Sequence, residues 1–255
     1  MLEIRNLHKT FYPGTPEENR VFSGFDLTIE EGTTTAILGP NGCGKSTLFS
    51  LIAGGLKPDE GEILLSGTNL TKLPEEKRAK LLSRVAQDPS MGVSPSLSIL
   101  ENMSLAFKKH ESFTLGKLLK PSRIPEIRER LKDVHLGLED KLNTQVKFLS
   151  GGQRQSLGLI MATLVRPELL LLDEHTAALD PKTSQRIMEM TQEISRRDQL
   201  TTLMITHNLR HAIAYADRVI MLSRGRIVFD SPAKGLTEVE LTKIYHEKIE
   251  EEMHA

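Results

Sequence analysis

Nine residues, GPNGCGKST from Gly39 to Thr47, have the composition of a polyphosphate cradle. The pattern G-x-x-x-x-G-K-S is filled by Gly39, Gly44, Lys45 and Ser46. Glycines suit it because backbone N–H groups must turn inward around phosphate oxygens without obstruction by Cβ atoms. Lys45 is expected to reach the β- and γ-phosphates, and the Ser46 hydroxyl to ligate Mg²⁺. The thiol of Cys43 reads as incidental, although alkylating it should block nucleotide binding sterically. A second chemical feature is LLLLDE, residues 169–174, an apolar run ending in two acids. Such a run describes a buried parallel strand that delivers carboxylates at its C-terminal edge. Asp173 is then placed to hold Mg²⁺ through its water shell. Glu174, one residue further on, is the candidate general base for an attacking water. Together the two motifs describe a nucleotide hydrolase and leave kinase, GTPase, helicase and transport motor open.

The stretch LSGGQRQ, residues 149–155, narrows that choice. Gly151 and Gly152 open a helix with Leu157, Ile160, Met161, Leu164 and Val165 on the helical period, and its start is a second anion site. One triphosphate cannot fill both sites. Two glycine-lined anion sites in one chain imply a nucleotide clamped between the phosphate loop of one protomer and the helix start of another.

The elements that must position these groups are legible in outline. Leu2 and Ile4, then Phe25, Leu27 and Ile29, alternate with polar residues and predict half-buried strands flanking the turn-rich YPGTPEENR. A β-branched run ending at Leu38 feeds the glycine loop, and Leu48, Leu51 and Ile52 mark a helix closed by Gly54-Gly55. EILLS (62–66) reads as a strand, and from about Pro74 to Pro167 charged helical patterns predominate. From Leu169 onward strands alternate with helices near 181–197 and 208–216, the βαβ rhythm of a parallel sheet. RGRIVFD reads as a final strand, and Thr237 with Glu240 as a capping box opening a terminal helix. The basic run between Lys108 and Lys132 reads as a solvated helical face.

Composition excludes several classes. The chain has 255 residues, with 33 basic against 34 acidic side chains and a formal net charge of −1, so no global attraction to nucleic acid or anionic lipid is expected. A single cysteine and the absence of a signal segment fit a cytosolic protein, and no apolar run is long enough to cross a bilayer. His207 and His211 stand four apart, but the intervening Asn208, Leu209 and Arg210 provide no further ligand, and a zinc site is not expected.

The set GPNGCGKST (39–47), Gln87 in VAQDP, LSGGQ (149–153), LLLLDE (169–174), AALD ending at Asp180 and MITHN with His207 resembles the ATP-binding cassette family over nearly the whole chain. The resemblance implies an α/β fold: a P-loop NTPase (RecA-like) parallel-sheet core (1–87 and 167–255) with an N-terminal antiparallel β layer and an inserted helical subdomain at about 88–166. It also implies a head-to-tail dimer closing on two ATP with Mg²⁺. Phosphates would be held by Gly39, Pro40, Asn41, Gly42, Cys43, Gly44, Lys45, Ser46 and Thr47. The partner copy would present Ser150, Gly151, Gly152 and Gln153, with Asp180 reaching across the interface. Phe11, or its neighbour Tyr12, would stack on adenine. Mg²⁺ would meet Ser46, Gln87 and Asp173. Catalysis would fall to Glu174, with His207 sensing the γ-phosphate and Gln87 and Lys45 contributing.

Two family positions differ: His175 and Ala177 stand where Pro and Ser are usual, and neither removes a catalytic group. The DEHTAALDPKT variant is similar to a branch of bacterial uptake systems for amino acids, aromatic ones included. A transport motor is therefore expected, at the cytoplasmic face of the membrane. It would work with a separate permease contacted by residues 88–104 and, indirectly, with an extracytoplasmic solute-binding protein. The alternatives are an exporter motor and a soluble cassette ATPase acting on DNA or ribosomes. The segment from Leu48 to Phe148 is too short for the long coiled coils of DNA-acting relatives. No regulatory domain is expected after His207.

Overall fold

A computed structural model describes residues 1–109 and 118–254. The order is β1 (Leu2–Phe11), β2 (Asn19–Ile29), β3 (Thr34–Leu38), α1 (Lys45–Ala53), β4 (Glu60–Leu65), β5 (Thr68–Asn69), α2 (Glu75–Arg78), β6 (Leu82–Val85) and α3 (Ile99–Lys108). It continues with α4 (Ile124–Lys132), α5 (Gly151–Thr163), β7 (Leu169–Asp173), α6 (Pro181–Arg197), β8 (Thr202–Ile205), α7 (Leu209–Tyr215), β9 (Arg218–Ser223), β10 (Arg226–Pro232) and α8 (Glu238–His254).

Two sheets carry the fold. An antiparallel sheet runs β2-β1-β4-β5, and a larger one runs β10-β9-β3-β8-β7-β6, parallel except for β10 at one edge. Alternation places Leu2, Ile4, Phe25, Leu27 and Ile29 on one face of the antiparallel sheet, and they meet α1 and one face of the large sheet in a shared core with Phe49, Leu171 and Leu203. The opposite face of the large sheet, through Leu170, Leu172 and Met204, packs on Met103, Ile127, Leu131, Leu157 and Ile187 of the helices. The inserted helices therefore share a core with the sheet.

The span from Pro74 to Pro167, expected to be mainly helical, contains the strand β6. Four residues are too few for a periodic signal, and pairing with β7, from Leu82 opposite Leu169 to Val85 opposite Leu172, decides the conformation. The solvated basic face is also corrected at Lys109. Its ammonium donates to Leu82 O at 3.0 Å and Ser83 Oγ at 2.9 Å, and burial pushes its pKa down to about 8. Lys117 and Glu111 of that run lie outside the described residues.

The strand order is what builds the site. Across the carboxyl edge of the sheet, β3 delivers the glycine loop, β8 delivers His207, β7 delivers Asp173 and Glu174, and β6 delivers Arg84 and Gln87.

Candidate functional site

The glycine loop owes its shape to close packing. Gly39, Gly42 and Gly44 have φ of 149°, 80° and 111°. A Cβ at Gly39 would stand 2.2 Å from Leu222 O, and one at Gly44 would stand 2.9 Å from Phe22 Cζ. β9 and β2 therefore press on the loop and exclude side chains there. Asn41, Gly42 and Ser46 are exposed, Pro40 and Thr47 half-buried. Lys45 is 5% exposed, and its Nζ donates to Gly39 O at 2.7 Å and Pro40 O at 2.9 Å. Gly44 leaves α1 with no side-chain cap and no acid in its first turn, so its leading N–H groups suit an anion. Cys43 is buried among Phe22, Phe49 and Leu48, and burial pushes its thiol pKa up. The side chain is part of the core cluster, so a reagent reaches the sulfur only when the loop opens.

Glu174 follows β7 in a left-handed conformation, φ 47°, while its N–H continues the ladder by donating to Ile205 O at 3.0 Å. This turns the carboxylate toward β8, where Glu174 Oε1 lies 2.8 Å from His207 Nε2. His207 occupies a short joint before α7. Asn208 pins the far side, its Oδ1 accepting from His211 N at 3.1 Å. His207 and His211 therefore do not share a helix. Asp173 Oδ2 accepts from Arg84 Nη2 at 2.5 Å. Gln87 is exposed in the bend after β6.

The second glycine segment opens α5. Ser150 Oγ accepts from Gln153 N at 3.3 Å, and Gln153 Oε1 accepts from Ser150 N at 3.1 Å, a complete capping box. Asp180 caps α6 with a single bond, accepting from Thr183 N at 3.0 Å. The two helix starts touch: a Cβ at Gly152 would lie 2.4 Å from Thr183 Cγ2. Among the described residues no hydrogen bond or ion pair joins residues 149–153 to 39–47. Phe11 ends β1 with Lys9 Nζ 5.7 Å from its ring centroid, and Tyr12 is 67% exposed, so either ring remains a candidate for adenine.

Sequence reasoning passed over four groups. Arg84 was hidden with its strand. Arg78 is 1% exposed and donates to Leu51 O at 2.6 Å and Ile52 O at 3.0 Å, closing the far end of α1. Gln155, also 1% exposed, donates to Ala86 O at 3.2 Å and ties α5 to the residue before Gln87. His175, noted only as a departure, is buried with Nε2 3.2 Å from Thr191 Oγ1, and burial, followed by the charge of His211, pushes its pKa down to about 3. It lines a cavity of about 870 Å³ beside Glu174 and His207, together with Met188, Met204, His211 and Tyr215.

The Ser46 hydroxyl, Gln87 amide oxygen and Asp173 carboxylate are hard oxygen donors, a set suited to Mg²⁺ completed by water and phosphate. No group of three or more His, Cys, Asp or Glu able to hold a metal occurs among the described residues.

A glycine loop between strand and helix, with carboxylates ending a nearby parallel strand, defines a P-loop nucleotide hydrolase of α/β class. The family model described as ABC transporter matches residues 22–177, and the chain belongs to this family of ATPases. It is 46% identical over 244 residues to a tyrosine transport ATP-binding protein of Clostridioides difficile, spanning 96% of this chain and 97% of that one. It is 32% identical over 248 residues to a phosphonates import ATP-binding protein of Alcaligenes faecalis, spanning 96% and 88%. A dimeric post-hydrolysis state of the ATP-binding cassette MJ0796 bound to ADP and Pi superposes with a TM-score of 0.78 at 29% identity, covering 92% of this chain and 100% of that one.

Proposed function

We propose that the chain is the ATP-hydrolysing motor of a bacterial membrane importer for a small organic solute, an amino acid such as tyrosine being the favoured class. The carrying observation is the order β3, β8, β7, β6, which sets the phosphate loop, His207, the two acids and Gln87 side by side along one edge. Solute class rests on the similarity to the tyrosine transport protein.

In this reading residues 39–47 wrap the phosphates, and Lys45 exchanges its two loop carbonyls for phosphate oxygens. Ser46, Gln87 and Asp173 would hold Mg²⁺, which supplies charge neutralisation for phosphoryl transfer. Glu174 accepts the proton of the attacking water, and His207 orients Glu174 and meets the γ-phosphate. Ser150, Gly151, Gly152 and Gln153 complete the pocket of a second copy, and Asp180 crosses the same interface. The similarity to a cassette solved as a dimer with ADP and Pi supports this sharing. Phe11 or Tyr12 stacks on adenine.

Residues 88–104 form the permease-facing surface. Met91 is 76% exposed there, while Asn102 holds the segment by accepting from Ser94 N at 2.7 Å and donating to Ser98 O at 2.9 Å. No helix among the described residues is long and apolar enough to cross a membrane. The similarity to ATP-binding proteins of transport and import systems supports a reading in which the permease is a separate chain and this one sits peripherally at the cytoplasmic face. A solute-binding protein would act through the permease, and nucleic acid has no part.

The test is light scattering of the full chain carrying Glu174→Gln, with and without MgATP. A dimer that appears only with nucleotide and is abolished by Ser150→Arg supports the shared pocket; a monomer under all conditions refutes it. Reconstitution with a permease encoded beside the chain's own gene, assayed for tyrosine uptake, tests the solute.

A further inference from the structure

Asp173 already has a cation beside it. The parallel register sets Arg84 of β6 opposite Leu171 of β7, and the two-residue period puts Leu171 and Asp173 on one face. That face packs toward α1, since Leu171 shares a core with Leu48 and Phe49, whereas Leu170 and Leu172 belong to the opposite side. The guanidinium therefore meets Asp173 on the phosphate-loop side of the sheet. The Asp173 side chain is 14% exposed and that of Arg84 35%. Among the described residues Arg84 has no other side-chain hydrogen bond or ion pair, and Asp173 no other cationic partner.

We propose that Arg84 is a displaceable counter-ion for Asp173: it holds the carboxylate in the nucleotide-free chain, and a hydrated divalent cation arriving with ATP must take Asp173 from it. The inference rests on reading Asp173 as the carboxylate on the metal side. Two cations cannot share one partly buried carboxylate without mutual repulsion, so metal affinity is lowered by whatever the Arg84 pair contributes. The same strand is tethered elsewhere by Lys109, at Ser83 and Leu82, and by Gln155, at Ala86. Release of Arg84 frees one of these three tethers, three residues before Gln87, and so reports metal occupancy to the loop that follows.

The test is binding of ATP to the full chain, followed by calorimetry at low temperature as Mg²⁺ is titrated, so that turnover is not the readout. Arg84→Met should lower the half-saturating Mg²⁺ about three- to tenfold, the range for one partly shielded charged hydrogen bond, with Arg84→Lys between it and the parent. In an Asp173→Asn background Arg84→Met should add no further shift. A parental midpoint for Arg84→Met, or a raised one, overturns the proposal while leaving the metal reading intact. If parental binding ignores Mg²⁺ and Asp173→Asn changes nothing, the metal reading falls and the counter-ion role with it. Should Arg84→Met fail to fold, Arg84→Lys and Arg84→Gln carry the same comparison.

Discussion

The imidazole of His207 and the carboxylate of Glu174 are joined at 2.8 Å between Nε2 and Oε1, across the ends of two neighbouring strands. Each is held by its backbone: Glu174 by a left-handed turn whose N–H remains in the ladder, His207 by a joint closed by the Asn208 cap. If Glu174 is the proton acceptor of the proposed mechanism, it is oriented before substrate arrives.

Replacing that acceptor should separate binding from turnover. Glu174→Gln is expected to keep ATP affinity while steady-state hydrolysis falls about 10²-fold or more, as phosphate release would show. Unchanged hydrolysis would remove Glu174 from the mechanism.

Lys45 tests the other half. Lys45→Ala loses both the proposed phosphate contact and the ammonium that holds Gly39 O and Pro40 O, so nucleotide affinity itself should drop, measured by calorimetry. Normal MgATP binding by this variant would redirect attention away from residues 39–47.

Gly152 packs against Thr183, and a test can separate that packing from the nucleotide contact proposed for it. Gly152→Ala forces a Cβ against Thr183 Cγ2 and should cost about 1–3 kcal/mol of stability, read by urea denaturation. Adding Thr183→Ser removes that methyl and should restore stability. If hydrolysis remains impaired in the stable double variant, Gly152 acts on nucleotide as well as on packing; full recovery of hydrolysis would confine it to packing.

His175 should make stability fall in acid. An unfolded histidine takes a proton near pH 6.5, while burial keeps the folded one neutral down to about 3. Between those values the unfolded state binds more protons, so stability declines as pH falls, by at most about 1.4 kcal/mol per pH unit from this group. His175→Gln should flatten that limb in denaturation curves at pH 4–6.5; an unaltered slope would show that the group titrates normally.

Cys43 provides a solvent-free check on the loop. With the sulfur buried and its thiol pKa raised, iodoacetamide at pH 8 should label the folded chain far more slowly than the urea-unfolded chain. Equal rates would mean that the loop opens readily.

Much of this was legible because the information is local. Gly39, Gly44 and Lys45 are contiguous and demand one backbone path, and the apolar run before Asp173 can only be a buried strand. The capping box at Thr237 is likewise written within four residues and is present as read, and the same spacing at Ser150 and Gln153, which went unread, forms a second one. What stayed hidden depends on distant partners. β6 is a strand because β7 lies beside it, and Arg84 gains meaning only through a residue 89 positions away. Lys109 looked solvated because it stands in the basic run from Lys108 to Lys132, yet its ammonium is claimed by a carbonyl of another element.

The four-residue β6 lies at the outer margin of its sheet, bonded to a single neighbour. A rod clamped along one side can tilt about that side without tearing a second seam, which no inner strand can do. In the proposed motor, force from the carboxyl rim would pass to the segment leading to Gln87 and Met91 through this margin, which one ladder and the side chains of Lys109 and Gln155 hold, and stiffening it should silence transport before it silences fuel consumption.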